Sequence, residues 1–318
     1  MIALDEIRRA AATIAPEAIV TPALRSERLN ALVGATVFAK DESQQRAGAF
    51  KFRGAFNRLS TIPVDDRLRG VVAVSSGNHG AAVACAAQIL GIEATVHVPQ
   101  DVAGAKRALI ERFGARIVMF DRSTPDRDAG ALRQVADTGA TFVHPFEDPV
   151  VMAGQGTAAL ELHEQAGALD VLIVPMSGGG LMAGCASAMR QLDPSCELIG
   201  VEPAAADDTR QSFDAGHPVR IAQPDTIADG LAVTSPGHAT FAINRMLVDD
   251  VVCITDAQLV EAMRIAQDLF GRRLEPSGAA GLAAVLADTA RFRNRRVGII
   301  LSGGNIDADR FHALTTER

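Results

Sequence analysis

Of the 31 basic residues in this chain only three are lysines, Lys40, Lys51 and Lys106. Arginine supplies no amine chemistry, because its guanidinium does not deprotonate in proteins. Lys51 lies in Ala49-Phe50-Lys51-Phe52-Arg53-Gly54, where a helix is expected to open. Between two phenylalanines it is either desolvated, which lowers an amine pKa and makes a nucleophile or base, or it snorkels past the rings to water. Ser75-Ser76-Gly77-Asn78-His79-Gly80 follows an expected strand and opens a helix. Hydroxyls, an amide and exposed N–H groups converge there, which suits a carboxylate ligand or simply caps the helix. Pro175-Met176-Ser177-Gly178-Gly179-Gly180-Leu181 again reads as strand, glycine run and helix. Glycines admit a ligand close to the backbone, and successive N–H groups cradle phosphate. The run is not a G-x-G-x-x-G pattern and lacks the Lys-Ser/Thr of a nucleotide loop, so a non-nucleotide phosphate is expected. Leu301-Ser302-Gly303-Gly304-Asn305 places further polar groups at the end of the last expected strand.

A lysine, a phosphate cradle and a carboxylate pocket in one chain point to pyridoxal phosphate. That cofactor requires a Schiff-base lysine, a phosphate cup and a partner for its pyridine nitrogen.

The elements that must position these groups alternate along the chain. Apolar strands rich in Val and Ile are expected at Thr36–Lys40, Val71–Ser75, Ala94–Val98, Arg116–Phe120, Thr141–His144, Val171–Pro175, Glu197–Val201, Val251–Ile254 and Val297–Leu301. Helical patterns lie between most of them: His79–Leu90 before Gly91, Ala103–Phe113 before Gly114, Val151–Gln165, Leu181–Leu192 and Asp256–Phe270. Such alternation predicts an α/β fold of parallel sheets covered by helices. There is no repeat and no low-complexity linker; the nearest break is the polar turn Asp121–Asp128. At 318 residues about two domains are expected, interleaved and not strung in series.

Composition narrows the function classes. A net charge of −7 argues against a nucleic-acid partner. Tyr and Trp are absent, which removes any mechanism built on a tyrosine acid. Cys85, Cys185, Cys196 and Cys253 show no metal or redox spacing and read as reduced thiols. The uncharged stretches Gly70 to Ile92 and Val171 to Met189 are broken by glycine and polar residues, so no membrane span is expected. With Asp5, Glu6, Arg8 and Arg9 near the start and no apolar signal core, a cytoplasmic location is expected.

Gly48-Ala49-Phe50-Lys51-Phe52-Arg53-Gly54-Ala55, the Ser75–Gly80 motif, Ser177-Gly178-Gly179-Gly180-Leu181, Glu275-Pro276-Ser277-Gly278 and the Leu301–Asn305 motif together resemble the pyridoxal-phosphate-dependent serine/threonine dehydratase family. The resemblance covers essentially the whole chain. It is closest in flavour to the branch of serine racemase and threo-3-hydroxyaspartate dehydratase. It implies the tryptophan synthase β-like fold, with a large cofactor domain from residues 1–50 and 147–318 and a small domain from 51–146.

The resemblance also implies roles, residue by residue. Lys51 would hold the cofactor and later serve as base at the substrate Cα. Phe50 would pack on the pyridine ring, and Asn78 would bond the 3′-oxygen. Ser177, Gly178, Gly179, Gly180 and Leu181 would bind the phosphate, Gly230 and Glu275 would lie along the cofactor, and Ser302 would face the pyridine nitrogen. Ser75, Ser76, Asn78 and His79 would hold the substrate carboxylate, with Ser76 as the opposite-face acid in any racemisation. Arg133, with Arg127 as second choice, would meet a side-chain carboxylate. Glu202, Asp208 and the Ala206 carbonyl would hold a divalent cation, and such oxygen donors suit Mg²⁺, Mn²⁺ or Ca²⁺. On their residue types alone, Asp207 and Asp208 also read as caps of a helix after a Pro turn.

There is one departure. Ala81 stands where ATP-binding racemases carry Gln, which argues against an ATP effector site. The chain ends at Arg318, soon after the last strand, so no appended regulatory domain is expected. The implied activity is conversion of a β-hydroxy amino acid (threonine, serine or 3-hydroxyaspartate) to a 2-oxo acid and ammonia. Amino-acid racemisation and a non-catalytic binding protein of the same fold are the alternatives. A homodimer is the implied assembly.

Overall fold

A computed structural model describes residues 1–75, 77–100, 102, 104–121 and 128–316. Among the described residues ten strands form two sheets: β1 (Ala23–Leu24), β2 (Thr36–Asp41), β3 (Val71–Val74), β4 (Ala94–Pro99), β5 (Arg116–Phe120), β6 (Thr141–Phe142), β7 (Val171–Pro175), β8 (Glu197–Pro203), β9 (Asp250–Ile254) and β10 (Arg296–Leu301). The six-stranded sheet runs β1-β2-β10-β7-β8-β9, and the four-stranded sheet runs β5-β4-β3-β6. Every pairing is parallel except β1 with β2. The four-stranded sheet is drawn from one continuous stretch, while the strands of the larger sheet come from both sides of it in sequence.

The expected α/β class is what the chain adopts. β3 and β7 are buried along their whole length, because helices cover both faces of each sheet. The helix Lys51–Ser60 seats Phe52, Ala55 and Phe56 on Val71 and Ala73 of the smaller sheet. The helices Pro149–Ala166 and Gly180–Leu192 pack where Gly156 meets Gly184; a Cβ on Gly184 would lie 2.2 Å from the Met152 carbonyl. The helix Asn78–Leu90 stops at Gly91, whose φ of +66° costs a residue without a Cβ little.

Several expected boundaries shift. The strand expected over Thr141–His144 ends at Phe142. His144 Nδ1 accepts from the N–H groups of Phe146 (3.2 Å) and Glu147 (2.8 Å), and this turns the chain out of the sheet. The helix expected over Ala103–Phe113 spans Gly104–Glu111, with Ala103 outside the described residues. The two-residue β1 is too short to leave an alternating pattern. No helix among the described residues is long and apolar enough to cross a membrane.

Candidate active site

Parallel strands deliver their carboxyl ends to one edge, and the loops that leave those ends gather there. β3 leads into Ser75 and Gly77, β7 into Met176–Gly180, and β10 into Ser302–Asn305. Together with the start of the helix Lys51–Ser60 they line a cavity of about 420 Å³. Phe50, Lys51, Ser75, Asn78, His79, Ser177 through Leu181, Gly230, Glu275 and Ser302 all reach its wall.

Lys51 Nζ donates to the Pro145 carbonyl over 2.9 Å and lies 5.1 Å from the centre of the Phe50 ring. Among the described residues no carboxylate pairs with it. Burial pushes its pKa down to about 8. The side chain is half-buried on the cavity wall, between the Phe50 ring and the Pro145 carbonyl. Its helix is anchored by Phe50 N–H donating to the Ser302 carbonyl (3.1 Å) and by Arg53. The Arg53 guanidinium is fully buried and forks onto both Glu42 and Glu161.

The glycine loop faces Lys51 from the other sheet. A Cβ on Gly178 would lie 2.3 Å from the Phe146 ring, and one on Gly180 would lie 2.8 Å from the Phe146 Cβ. Side chains at these positions would therefore displace Phe146. Gly179 has φ of +90° and precedes the helix Gly180–Leu192, whose first N–H groups have no partner within the helix.

Asn78 is oriented at both ends of its amide. Its Nδ2 donates to Glu275 Oε1 over 2.6 Å, and its Oδ1 accepts from Asn305 Nδ2 over 2.8 Å. Burial pushes the Glu275 carboxyl up to about 7. His79 is buried with Nε2 2.8 Å from the Val143 carbonyl. Ser302 Oγ donates a long bond, 3.4 Å, to the Ser277 carbonyl. Gly230 N–H donates to Ser277 Oγ over 3.0 Å.

One substrate residue expected from sequence stands away from the cavity. Arg133 sits exposed on the helix Ala129–Thr138, whose buried face carries Ala131, so it does not line the wall. Ser76 and Arg127 lie outside the described residues.

Glu202 lies near the end of β8, Ala206 in the turn that follows and Asp208 at the start of the helix Asp208–Ala215, all away from the cavity. All three are buried. Glu202 accepts from Arg210 N–H over 2.7 Å and more weakly from Thr209 N–H. Both carboxylate oxygens of Asp208 are buried with no hydrogen-bond partner among the described residues. Burial, and the neighbouring Asp208 charge, push Glu202 up to about 8; burial pushes Asp208 up to about 7. Among the described residues no cluster of three His, Cys, Asp or Glu side chains exists, so any ion here would draw on main-chain oxygens as well.

Several wall residues escaped sequence reasoning. Pro145 and Phe146 bridge Lys51 and the glycine loop, yet lie in a connection without a recognisable motif. Lys106 pairs with Asp229 across the cavity mouth, joining the helix Gly104–Glu111 to the turn Asp229–Leu231. The signal for Lys106 was its retention as lysine, which by itself names no partner.

A family model described as "pyridoxal-phosphate dependent enzyme" matches residues 14–303. The L-threo-3-hydroxyaspartate ammonia-lyase of Saccharomyces cerevisiae is 43% identical over 294 residues, covering 92% of this chain and 90% of that one. The serine racemase of Schizosaccharomyces pombe is 42% identical over 307 residues, covering 96% and 95%. The structure of maize serine racemase aligns with a TM-score of 0.94 at 40% identity, covering 98% of this chain and 97% of that one.

Proposed function

The chain belongs to the pyridoxal-phosphate-dependent enzymes, and on that premise we propose that it is an ammonia-lyase, converting a β-hydroxy amino acid of the threonine, serine or 3-hydroxyaspartate type to a 2-oxo acid and ammonia. The observation that carries this reading is Lys51: a half-buried amine with its pKa pushed down to about 8, opposite a glycine loop in the same cavity. The residues fit the cofactor. Gly178 and Gly180 leave the loop's backbone bare, and the first N–H groups of the following helix suit a phosphate.

When bound, pyridoxal phosphate supplies the electron sink that makes the Cα proton removable. Lys51 would hold the cofactor, and its amine when free would take that proton. Phe50 packs on the ring, and Asn78, fixed by Glu275 and Asn305, meets the 3′-oxygen. Ser177 to Leu181 hold the phosphate. Gly230 and Glu275 flank the cofactor, and Ser302 meets the pyridine nitrogen. A hydroxyl there, unlike a carboxylate, does not enforce a protonated ring, which favours elimination over full carbanion chemistry. Ser75, Ser76, Asn78 and His79 hold the substrate carboxylate.

Glu202, Asp208 and the Ala206 carbonyl hold a divalent cation, Mg²⁺, Mn²⁺ or Ca²⁺. The unpartnered, buried Asp208 oxygens support this, since hard oxygen donors of this kind suit those ions. The cofactor domain comprises residues 1–50 and 147–318, the small domain residues 51–146. The enzyme is a cytoplasmic homodimer.

Proton NMR in D₂O with a panel of β-hydroxy amino acids tests the reading, with pyridoxal phosphate and Mg²⁺ supplied. A 2-oxo acid should appear and name the preferred substrate. Deuterium at Cα with the hydroxyl retained would make the protein a racemase. No exchange with any substrate would leave a binding protein.

A further inference from the structure

One helix, His238–Leu247, grips the glycine loop. Thr240 Oγ1 lies 2.5 Å from the Gly178 carbonyl, the nearest of the acceptors within its reach. Asn244 Nδ2 donates to the Gly179 carbonyl over 3.1 Å. The two residues are one helical turn apart and so share a face. Thr240 is fully buried and Asn244 nearly so. The fit is tight: a Cβ on Gly179 would lie 2.7 Å from Asn244 Nδ2 and 3.0 Å from Thr240 Cβ. The helix is itself fixed at its start, where Glu147 accepts from the N–H groups of Ala239 (3.0 Å) and Thr240 (3.3 Å).

A trans peptide points its C=O and its N–H in opposite directions. The Gly178 carbonyl shares a peptide plane with the Gly179 N–H, and the Gly179 carbonyl with the Gly180 N–H. Holding both carbonyls on the helix therefore turns both N–H groups the other way. Gly179 and Gly180 line the cavity. Each carbonyl also accepts a backbone bond, Gly178 from the Gly237 N–H (3.3 Å) and Gly179 from the Ala183 N–H (2.9 Å), so the two side chains add a second hold on each plane of a glycine pair that is otherwise free to rotate.

We propose that Thr240 and Asn244 are positioning residues that aim the Gly179 and Gly180 amides at the phosphate of pyridoxal phosphate, an inference that rests on reading this loop as the phosphate cup. They touch neither substrate nor cofactor. Their effect is to preorganise the cup, so that no backbone ordering remains to be done when the phosphate arrives.

The test separates phosphate from ring. Protein stripped of cofactor is titrated with pyridoxal phosphate and, separately, with pyridoxal, which reaches Lys51 but carries no phosphate. The absorbance of the lysine-bound aldehyde reports both. In Thr240→Val and Asn244→Ala the Kd for pyridoxal phosphate should rise about 3–10-fold each, the effect of one lost hydrogen bond, while that for pyridoxal stays within about 2-fold. Thr240→Ser should restore the Thr240 share. Equal weakening of both ligands would mean a merely structural role and overturn the proposal, as would unchanged binding of both. A native protein that binds pyridoxal as tightly as pyridoxal phosphate would instead overturn the phosphate-cup reading itself.

Discussion

Asn78 donates to the Glu275 carboxylate over 2.6 Å, tying the first turn of a helix on the four-stranded sheet to the loop that enters Pro276 beside the six-stranded one. Burial holds the Glu275 carboxyl up at about 7, against the opposing pull of the Asn78 bond, Lys106 and Arg310. A group that changes charge near neutrality thus sits one bond away from the amide assigned to the cofactor's 3′-oxygen.

Glu275→Gln keeps an acceptor for Asn78 but cannot titrate. The pH profile of kcat/KM should show an inflection near 7 in the native enzyme and none near 7 in the variant. Stability moves in a definite direction. The folded pKa lies above the usual 4.5, so this group's stabilising contribution is complete below 4.5 and is lost as the pH rises through about 7. The variant should gain stability relative to the native protein between pH 5 and pH 8, as read by thermal unfolding of both. Matching profiles and a constant stability gap would remove Glu275 from this role.

Lys51→Met tests the opposite shift. A lysine pushed down from 10.5 to about 8 destabilises the folded state while it is charged, by on the order of 2–3 kcal/mol at neutral pH. That penalty begins to shrink as the pH rises through about 8 and is gone once the unfolded amine also deprotonates near 10.5. At pH 7 the cofactor-free variant should therefore melt higher than the cofactor-free native protein, and the gap should shrink above pH 8. Turnover should be lost altogether, since one side chain serves as both anchor and base. Residual turnover at the native rate would sink the assignment.

The legible part of this protein is the part built from local chemistry. The strand–glycine–helix runs at Gly178 and Asn78 announce themselves because turn, cap and backbone exposure all act within a few residues. Strands such as β7 and β10 are legible because parallel, doubly covered strands are continuous apolar runs. Thr240 and Asn244 were silent, because their partners stand 62 and 65 residues away and an isolated Thr and Asn in a helix look like surface. Arg133 rested on the resemblance alone, and the helix Ala129–Thr138 turns Ala131 inward and leaves Arg133 exposed.

Cation binding should depend on pH in a direction set by the two acidic residues beside β8. Glu202 and Asp208 are pushed up to about 8 and about 7, so a divalent ion must displace protons to bind below those values. Mg²⁺, Mn²⁺ or Ca²⁺ should raise the melting temperature more at pH 8.5 than at pH 6. Glu202→Gln should abolish the increment, since it removes one of the two carboxylates. Calorimetry in two buffers of different ionisation heat would count the protons released. An increment that survives in Glu202→Gln would place the ion elsewhere.

Arg53 makes the strongest demand on the fold. Its Nε and Nη2 donate to Glu42 (2.7 and 2.8 Å), its Nη1 and Nη2 to Glu161 (2.6 and 2.8 Å), and Lys40 Nζ donates to Glu161 as well (2.6 Å). Arg53, Glu42 and Lys40 are all fully buried, so two cations and two carboxylates close on each other with almost no water. Arg53→Met leaves Glu42 and Glu161 with Lys40 alone, and breaking such a pair costs about 3–5 kcal/mol. Burial raises the Glu42 pKa, but the Arg53 charge and bonds outweigh it and hold that carboxyl below its usual value. Its contribution is therefore present above the usual carboxylate value of 4.5 and fades as the pH falls further. The stability gap between native protein and Arg53→Met should accordingly be widest at neutral pH and narrow toward pH 4. Adding Glu42→Gln to Arg53→Met should recover part of the loss, because the orphaned carboxylate is then neutral. Thermal unfolding of the three proteins across pH 4 to 8 checks both claims. A gap independent of pH, together with no recovery in the double variant, would show that Arg53 stabilises by packing and not by charge.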